Sequence, residues 1–227
     1  MRLGGLQQCS IIDYPDHISA IVFTIGCNFR CPYCHNPELV EETATELSTE
    51  SFFDFLVKRR GKLDAVTITG GEPTMHDDLL DFIFQIKSMG FKVKLDTNGT
   101  RPDVVTVAVA EGMVDYVAVD AKAPLSKYSA TVTRPVDVDA IRETRALLLE
   151  GRVPYEFRTT VVKSLLSPEE IEEIAKEIEG AEHYYLQRFV PTKLLNPAFM
   201  RKTTYSNEEF LELQKIASKY VQHCGIR

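Results

Sequence analysis

Three closely spaced cysteines carry the clearest chemical signal in this sequence. Cys27, Cys31 and Cys34 form a C-x3-C-x2-C pattern directly after the apolar run from Ile18 to Ile25. Thiolates are soft ligands that suit iron–sulfur clusters or zinc, and cysteines on one loop can bind one inorganic centre. Four-cysteine sites are closed, whereas three ligands leave one metal position open. The pattern therefore predicts an inorganic centre with a free coordination position.

A structural zinc site completed by His35, Cys9 or Cys224 is the alternative for this loop. Zinc sites usually combine two C-x2-C-like pairs, and the sequence has no second pair. His35 directly follows Cys34, so it could reach the same metal only in an awkward geometry. We therefore favour an iron–sulfur centre, and we interpret Cys9 and Cys224 as small half-buried thiols.

Charge and hydropathy argue against two classes of partner. The net charge is -7, which disfavours the phosphate backbone of a nucleic acid. No apolar run approaches the roughly 20 residues of a membrane helix, and the N-terminus lacks the apolar core of a signal peptide. We therefore expect a cytoplasmic protein that binds neither nucleic acid nor membrane. We expect one domain over residues 1–227, with 1–17 as an N-terminal lead-in and 191–227 as a C-terminal segment with the final helix.

Strand and helix signals alternate along the chain. Residues typical of the start and the end of a helix follow each strand. The capping-box patterns at Ser167 and Ser206 are examples of such start signals. Six strand–helix units with short connections predict an α/β fold, a parallel sheet covered by helices. Six units are too few for a closed eight-unit barrel, so the sheet is either open and doubly wound or a partial barrel. The predicted strands are 18–25, 65–69, 92–97, 116–119, 155–162 and 183–190.

Polar clusters follow the predicted strands at their carboxyl ends. The cysteine loop follows the first strand and Gly70-Gly71-Glu72-Pro73 follows the second. Asp96-Thr97-Asn98-Gly99 ends the third, and Asp120-Ala121-Lys122 ends the fourth. Arg158 lies inside the fifth strand, where an unpaired charge is costly, so it must reach a carboxylate of the protein or of a ligand. Since active sites of such folds form at this edge, these side chains predict one site.

The cysteine spacing, with the aromatic Tyr33 before the last cysteine, resembles the signature of the radical S-adenosylmethionine superfamily. The later motifs match in the same order, so the resemblance covers nearly the whole chain. It implies a partial (βα)6 barrel of parallel strands with outer helices. It also implies one [4Fe–4S] cluster on Cys27, Cys31 and Cys34, with S-adenosylmethionine on the open iron. The reduced cluster would cleave this cosubstrate to a 5′-deoxyadenosyl radical.

The resemblance also implies roles for the residues at the strand ends. In the superfamily, the backbone and carboxylate of a GGEP segment receive the methionine amino group, which points to Gly70, Gly71 and Glu72. The DTNG and D-x-K segments of glycyl radical enzyme activases contact the cosubstrate. Some activases hold a monovalent cation there, so the resemblance predicts a cation site here as well. The cosubstrate contacts implied in this way are Tyr33, His35, Asp96, Thr97, Asn98, Asp120, Lys122 and Arg158, and the cation ligands are Asp96, Thr97 and Asp120.

Two further features favour an activase. His35-Asn36-Pro37 after the last cysteine is typical of activases, and the chain has no additional cysteine pairs for further clusters. The opening from Gly4 to Asp16 resembles the activases of anaerobic ribonucleoside-triphosphate reductase. The resemblance thus implies that reductase as protein substrate, and flavodoxin or ferredoxin as reductant. The alternatives are pyruvate formate-lyase or another glycyl radical enzyme, a small-molecule or peptide substrate, or a metal-bearing binding protein without turnover.

Overall fold

The computed structural model describes the whole chain, Met1–Arg227, as one eight-stranded sheet with the strands in sequence order. The first two strands pair antiparallel, and every later pair is parallel. The two edge strands do not pair with each other, so the barrel is open. The strands are β1 (Leu3–Ser10), β2 (Ser19–Thr24), β3 (Ala65–Gly70), β4 (Lys92–Thr97), β5 (Tyr116–Asp120), β6 (Tyr155–Val161), β7 (His183–Arg188) and β8 (His223–Ile226).

Helices connect the parallel strands and cover the sheet. Both predicted capping boxes are present: Ser167 with Glu170, and Ser206 with Glu209. Each satisfies backbone N–H groups at the start of its helix. The helices are α1 (Pro37–Val40), α2 (Thr49–Arg59), α3 (Leu79–Ser88), α4 (Pro102–Ala110), α5 (Tyr128–Val132), α6 (Val138–Leu149), α7 (Pro168–Glu177) and α8 (Asn207–Ala217), with short 3₁₀ turns at Pro73–Met75, Leu125–Lys127 and Pro197–Arg201.

The predicted α/β architecture is confirmed, with two strands added at its edges. The six predicted strands correspond to β2 to β7 and pair in parallel. The segment treated as a lead-in contains β1, and β8 follows the final helix. Both lie at an edge: β1 contains two glycines and has only two buried residues, and β8 has four residues. Neither therefore has the continuous apolar run by which a central parallel strand is recognised.

The core lies between the sheet and its helices and reaches from one edge of the sheet to the other. A single cluster of 49 buried residues includes Leu3 on β1 and Cys224 on β8. Burial of this apolar surface fixes the spacing of the strands, and hence the positions of the side chains at their carboxyl ends. No helix combines the length and the apolar character that a membrane span requires.

Candidate active site

A cavity at the carboxyl ends of the parallel strands contains every residue predicted for the site. It also includes five residues that the sequence did not single out: Phe29, Asn36, Val40, Thr69 and Thr160. Gln187 lies outside the cavity, and so does Arg188, whose guanidinium covers the ring of Phe210 at 4.2 Å. The predicted residues that line it are Cys27, Cys31, Tyr33, Cys34, His35, Gly70, Gly71, Glu72, Asp96, Thr97, Asn98, Asp120, Lys122 and Arg158.

Backbone hydrogen bonds from distant elements hold the cysteine loop. The N–H of Arg30 donates to the carbonyl of Val132 in α5 at 3.0 Å. The carbonyl of Cys34 accepts from the N–H of Leu195 at 2.9 Å, on the segment after β7. The loop is thus fixed by the chain on either side of the cavity. These two anchors join backbone groups and involve no thiol, so they hold the loop without a metal.

The thiols are neutral in the protein alone. Burial raises the pKa of Cys27 to about 12 and that of Cys31 to about 11, and it also raises the pKa of Cys34. All three are free cysteines. Since iron binds the thiolate, loading a metal must release protons from this loop.

The two glycines of the GGEP segment, Gly70 and Gly71, allow the ends of β2 and β3 to lie in close contact. Gly70 has φ +115°, and a Cβ atom there would overlap the backbone of Thr24. A Cβ atom at Gly71 would overlap the carbonyl oxygen of Gly26, which accepts from the N–H of Glu72 at 2.8 Å. The small side chains therefore let the start of the cysteine loop lie directly against the end of β3.

The carboxylate of Glu72 is bound by the protein itself. Its Oε1 accepts from the Thr74 N–H at 3.1 Å and from the hydroxyls of Thr74 and Thr97 at 2.6 Å each. Its Oε2 accepts from the Asn98 N–H at 2.7 Å. Burial raises the pKa of Glu72 despite these four hydrogen bonds. Glu72 thus joins the end of β3 to the Asp96–Gly99 loop, and its oxygens have little capacity left for a ligand ammonium.

We expect Glu72→Gln to destabilise the protein without its cofactors by about 1–3 kcal/mol, because an amide offers one acceptor oxygen where four donors converge. The NH₂ group of the introduced glutamine must face at least one N–H or O–H donor of the protein. Urea denaturation measures the change. Glu143→Gln, on an exposed face of α6, is the matched control and should change the free energy of unfolding by less than about 0.5 kcal/mol. Equal stability of the two variants would contradict the linking role of Glu72.

A buried ion-pair network forms the wall opposite the cysteines. Arg158 donates to Asp96 through Nη1 at 2.9 Å and to Asp120 through Nε at 3.1 Å. Lys94 Nζ lies 2.5 Å from the other oxygen of Asp96, and Lys122 Nζ lies 3.0 Å from Asp120. Of the two alternatives for Arg158, the structure shows the first, because its guanidinium reaches two carboxylates of the protein.

The network keeps its members charged. Burial acts against ionisation, but Arg158 and Lys94 outweigh it and lower the pKa of Asp96. Burial likewise opposes the charge on Asp120, and Lys122 and Arg158 overcome it to lower its pKa to about 2. A third buried carboxylate, Glu156, lies 3.9 Å from Arg158 and also pairs with Arg227. The network thus places cations and carboxylates side by side, and Lys122 and Arg158 are its two cations that line the cavity.

A second network links the cysteine loop to the end of β4, and no sequence motif indicates it. Asn98 Nδ2 donates to Asn28 Oδ1 at 2.8 Å, and Asn28 Nδ2 donates to the Thr100 hydroxyl at 2.8 Å. Tyr128 donates its hydroxyl to the carbonyl of Asp120 at 2.9 Å. These partners lie far apart in the chain, so no local pattern could reveal them.

The donor set fits a cluster and its cosubstrate. No three His, Cys, Asp or Glu side chains are arranged to hold a single metal ion, whereas each thiolate of a [4Fe–4S] cluster binds a different iron atom. The buried hydroxyl of Tyr33 has no hydrogen-bond partner. The carbonyl of Gly71 accepts no hydrogen bond from the protein either. An unpaired donor and an unpaired acceptor in one cavity suit a polar ligand.

Relatives and solved structures share this architecture. A protein of Methanocaldococcus jannaschii that is provisionally named a glycyl-radical enzyme activating enzyme is 36% identical, over 99% of this chain and 95% of its own length. A domain of the pyruvate-formate lyase-activating enzyme of Bacteroides vulgatus superposes with TM-score 0.58 at 19% identity, covering 72% of this chain and 98% of that domain. SuiB of Streptococcus suis bound to S-adenosylmethionine superposes with TM-score 0.64 at 13% identity, covering 90% and 45% of the two chains.

The family model of the radical SAM superfamily matches residues 21–178. This range contains the cysteine loop and all the strand ends that line the cavity. A [4Fe–4S] cluster and S-adenosylmethionine are accordingly the cofactors of this enzyme. The chain belongs to the radical SAM superfamily.

Proposed function

We propose that this enzyme installs a glycyl radical in a partner protein, by removing one hydrogen atom from the Cα of a glycine. The observation that carries the proposal is the 36% identity to the M. jannaschii protein over nearly the full length of both chains. The barrel is open, and an open side suits a peptide loop as substrate.

In this proposal Cys27, Cys31 and Cys34 hold the [4Fe–4S] cluster. Bound and reduced, the cluster would supply one electron for the cleavage of S-adenosylmethionine to methionine, and the 5′-deoxyadenosyl part would leave as 5′-deoxyadenosine with the glycine hydrogen. The contribution of the protein is to position the groups and to exclude competing hydrogen donors. The backbone anchors of the cysteine loop support this role, because they fix the loop before any cofactor binds.

We assign the remaining contacts to residues that line the cavity, beginning with the groups that the protein leaves unpaired. The free carbonyl of Gly71 is placed to receive the methionine amino group, and Lys122 to meet the carboxylate as a point charge. Tyr33 offers a free hydroxyl to the adenosyl part. His35, Asp96, Thr97, Asn98, Asp120 and Arg158 complete the cosubstrate site, with Glu72 acting through its bonds to Thr97 and Asn98.

The partner that we propose is anaerobic ribonucleoside-triphosphate reductase, because the chain opens with a segment that resembles its activases. That segment forms β1 and a loop to β2 in which Ile11 and Ile12 are exposed. Pyruvate formate-lyase or another glycyl radical enzyme is the alternative. We further propose flavodoxin or ferredoxin as the reductant, a cytoplasmic location, and a single domain over residues 1–227, since one core joins both edge strands.

Anaerobic reconstitution with iron and sulfide tests the proposal in two stages. After reduction, S-adenosylmethionine should yield methionine and 5′-deoxyadenosine. Addition of the reductase should then give the doublet of a glycyl radical in electron paramagnetic resonance. A reductase whose radical glycine is replaced by alanine is the control, and it should give no doublet.

The two stages fail in different ways. Formation of 5′-deoxyadenosine without a doublet would reject the reductase as partner, and the same assay with pyruvate formate-lyase would then examine the alternative. No 5′-deoxyadenosine at all, from protein with a full complement of iron and sulfide, would reject the proposed chemistry.

A further inference from the structure

The backbone of the Asp120–Lys122 segment, which supplies two side chains to the cavity wall, is held by side chains from elsewhere in the chain. The segment continues from the end of β5, and the Ala121 N–H donates to the carbonyl of Arg158 at 2.8 Å. The carbonyl of Ala121 accepts from the Thr159 hydroxyl at 2.6 Å. These two bonds fix Ala121 against β6. Neither of them involves the carbonyl of Asp120 or the N–H of Lys122.

One tyrosine hydroxyl binds both of these remaining groups. Tyr128 donates its hydroxyl to the carbonyl of Asp120 at 2.9 Å, and the same oxygen accepts from the Lys122 N–H at 3.3 Å. A phenol can do this because its oxygen is both a donor and an acceptor. Tyr128 is 0% exposed, so bulk water does not compete for either bond. The hydroxyl thus bridges the residues on the two sides of Ala121 and fixes the backbone from which the Lys122 side chain extends.

The same tyrosine belongs to the helix that holds the cysteine loop. Tyr128 begins α5, and its ring centroid lies 6.0 Å from that of Phe29, which lines the cavity. The carbonyl of Val132, at the end of α5, accepts from the Arg30 N–H at 3.0 Å. One short helix therefore contacts the cysteine loop and the Lys122 segment together. It determines how far these two parts of the site lie from each other.

We propose that Tyr128 is a positioning residue for S-adenosylmethionine, because its hydroxyl sets the place at which the Lys122 ammonium meets the carboxylate of the cosubstrate. Tyr128 does not line the cavity, whereas Lys122 does. It therefore acts through Lys122 and touches no reacting atom. The inference rests on the cosubstrate role of Lys122 in the proposed function, but not on the identity of the protein partner.

Tyr128→Phe removes the hydroxyl and keeps the ring that packs against Phe29. The carbonyl of Asp120 and the N–H of Lys122 lose their partner, which the segment can replace only by moving. The dissociation constant of S-adenosylmethionine for the cluster-loaded protein should therefore rise on the order of tenfold, which corresponds to about 1.4 kcal/mol. Iron and sulfide content should equal that of the wild type, because the ring and the backbone of α5 remain.

Tyr155→Phe is the matched control. Tyr155 is also a buried tyrosine, and its hydroxyl accepts from the Glu182 N–H at 3.2 Å, but neither residue lines the cavity. The loss of that hydroxyl should lower stability to a similar extent and change the dissociation constant by less than about twofold. Equal losses of affinity in the two variants would show that a buried hydroxyl matters only for stability, and would overturn the proposal.

A double-mutant cycle shows whether Tyr128 acts through Lys122. In the Lys122→Ala background, Tyr128→Phe should change the dissociation constant by less than about twofold, because the ammonium that the hydroxyl positions is absent. A further loss on the order of tenfold in that background would contradict the proposal. An unchanged affinity of the folded single variant would contradict it as well.

Amide hydrogen exchange measures the contact in the protein without cofactors. The Lys122 N–H of the wild type should exchange at least about a hundredfold more slowly than in an unfolded chain. Tyr128→Phe should lose most of this protection, and Tyr155→Phe should keep it. Unprotected Lys122 in the folded wild type would overturn the proposal even where Tyr128→Phe does not fold.

The outcomes separate this inference from the proposed function. A wild-type protein with a full cluster that does not bind S-adenosylmethionine would reject the proposed function, and with it the cosubstrate role of Lys122. Binding by the wild type with no change in Tyr128→Phe would reject this inference alone. Because every readout precedes the partner protein, a wrong partner assignment leaves these results unchanged.

Discussion

Cys31→Ser is expected to abolish iron–sulfur assembly while the protein remains folded. Serine differs from cysteine by one atom, and the thiol of Cys31 is neutral in the cofactor-free protein because burial raises its pKa to about 11. Burial of the hydroxyl in place of the thiol should cost about 1–3 kcal/mol, which a domain of this size tolerates. The backbone anchors of the loop do not involve the thiol. The variant should therefore unfold cooperatively but bind no cluster.

The loss of activity should be far larger than the loss of stability. Without the cluster the enzyme has no source of the electron, so formation of 5′-deoxyadenosine should fall by at least about a thousandfold, as expected when the origin of a large rate enhancement is removed. Iron and sulfide analysis, together with the visible absorption of the cluster, measures how much cluster each variant holds. Cys9→Ser, on the exposed edge strand β1, is the matched control.

Three outcomes separate the possible roles of the cysteines. Full iron content in Cys9→Ser and none in Cys31→Ser would agree with a three-cysteine cluster. Loss of iron in both variants would indicate that Cys9 is a fourth ligand. Retention of one zinc and no sulfide by the wild-type protein would contradict the iron–sulfur site altogether.

The sequence was sufficient to predict which residues share one cavity because its signals are local. The cysteine spacing, the GGEP segment and the Asp96–Gly99 segment each lie within a few residues and follow an apolar strand. In a parallel sheet the carboxyl ends of all strands share one edge, so strand order alone brings such segments together. The structure places all of them around one cavity.

The pairing of charges inside the cavity could not be predicted, because each pair joins different strands. Arg158 on β6 could be expected to meet a carboxylate, but its choice of Asp96 and Asp120 depends on the register of β4, β5 and β6. Lys94 carries no motif at all. Its importance follows only from its burial and its contact with Asp96. These tertiary contacts give each carboxylate oxygen of Asp96 and Asp120, two of the predicted ligands of a monovalent cation, a cationic side chain of the protein as partner.

The two glycines also have a structural role that the sequence-based interpretation does not include. The resemblance assigns them to the methionine amino group, whereas the atoms that a Cβ would meet at these two positions belong to Phe23, Thr24 and Gly26. The glycines thus bring two segments of the protein together. Gly71 also lines the cavity, and its carbonyl accepts no backbone hydrogen bond.

Gly71→Ala should consequently disrupt the cysteine loop from outside it. The added methyl group would overlap the carbonyl oxygen of Gly26, a backbone atom that cannot rotate away as a side chain could. Either the start of the loop or the end of β3 must move, and we expect a destabilisation of about 3 kcal/mol, at the upper end of overpacking costs. The hydrogen bond from the Glu72 N–H to Gly26 should be lost with it.

Gly5→Ala is the matched control, because a Cβ atom there would make an ordinary contact of 3.6 Å with Phe23. It should leave stability unchanged or raise it by about 0.5 kcal/mol through the lower entropy of the unfolded chain. Urea denaturation and iron content compare the two variants. If Gly71→Ala kept wild-type stability and a full cluster, β2 and β3 could separate at no cost. The close approach of Gly71 to Gly26 would then not be what positions the cysteine loop.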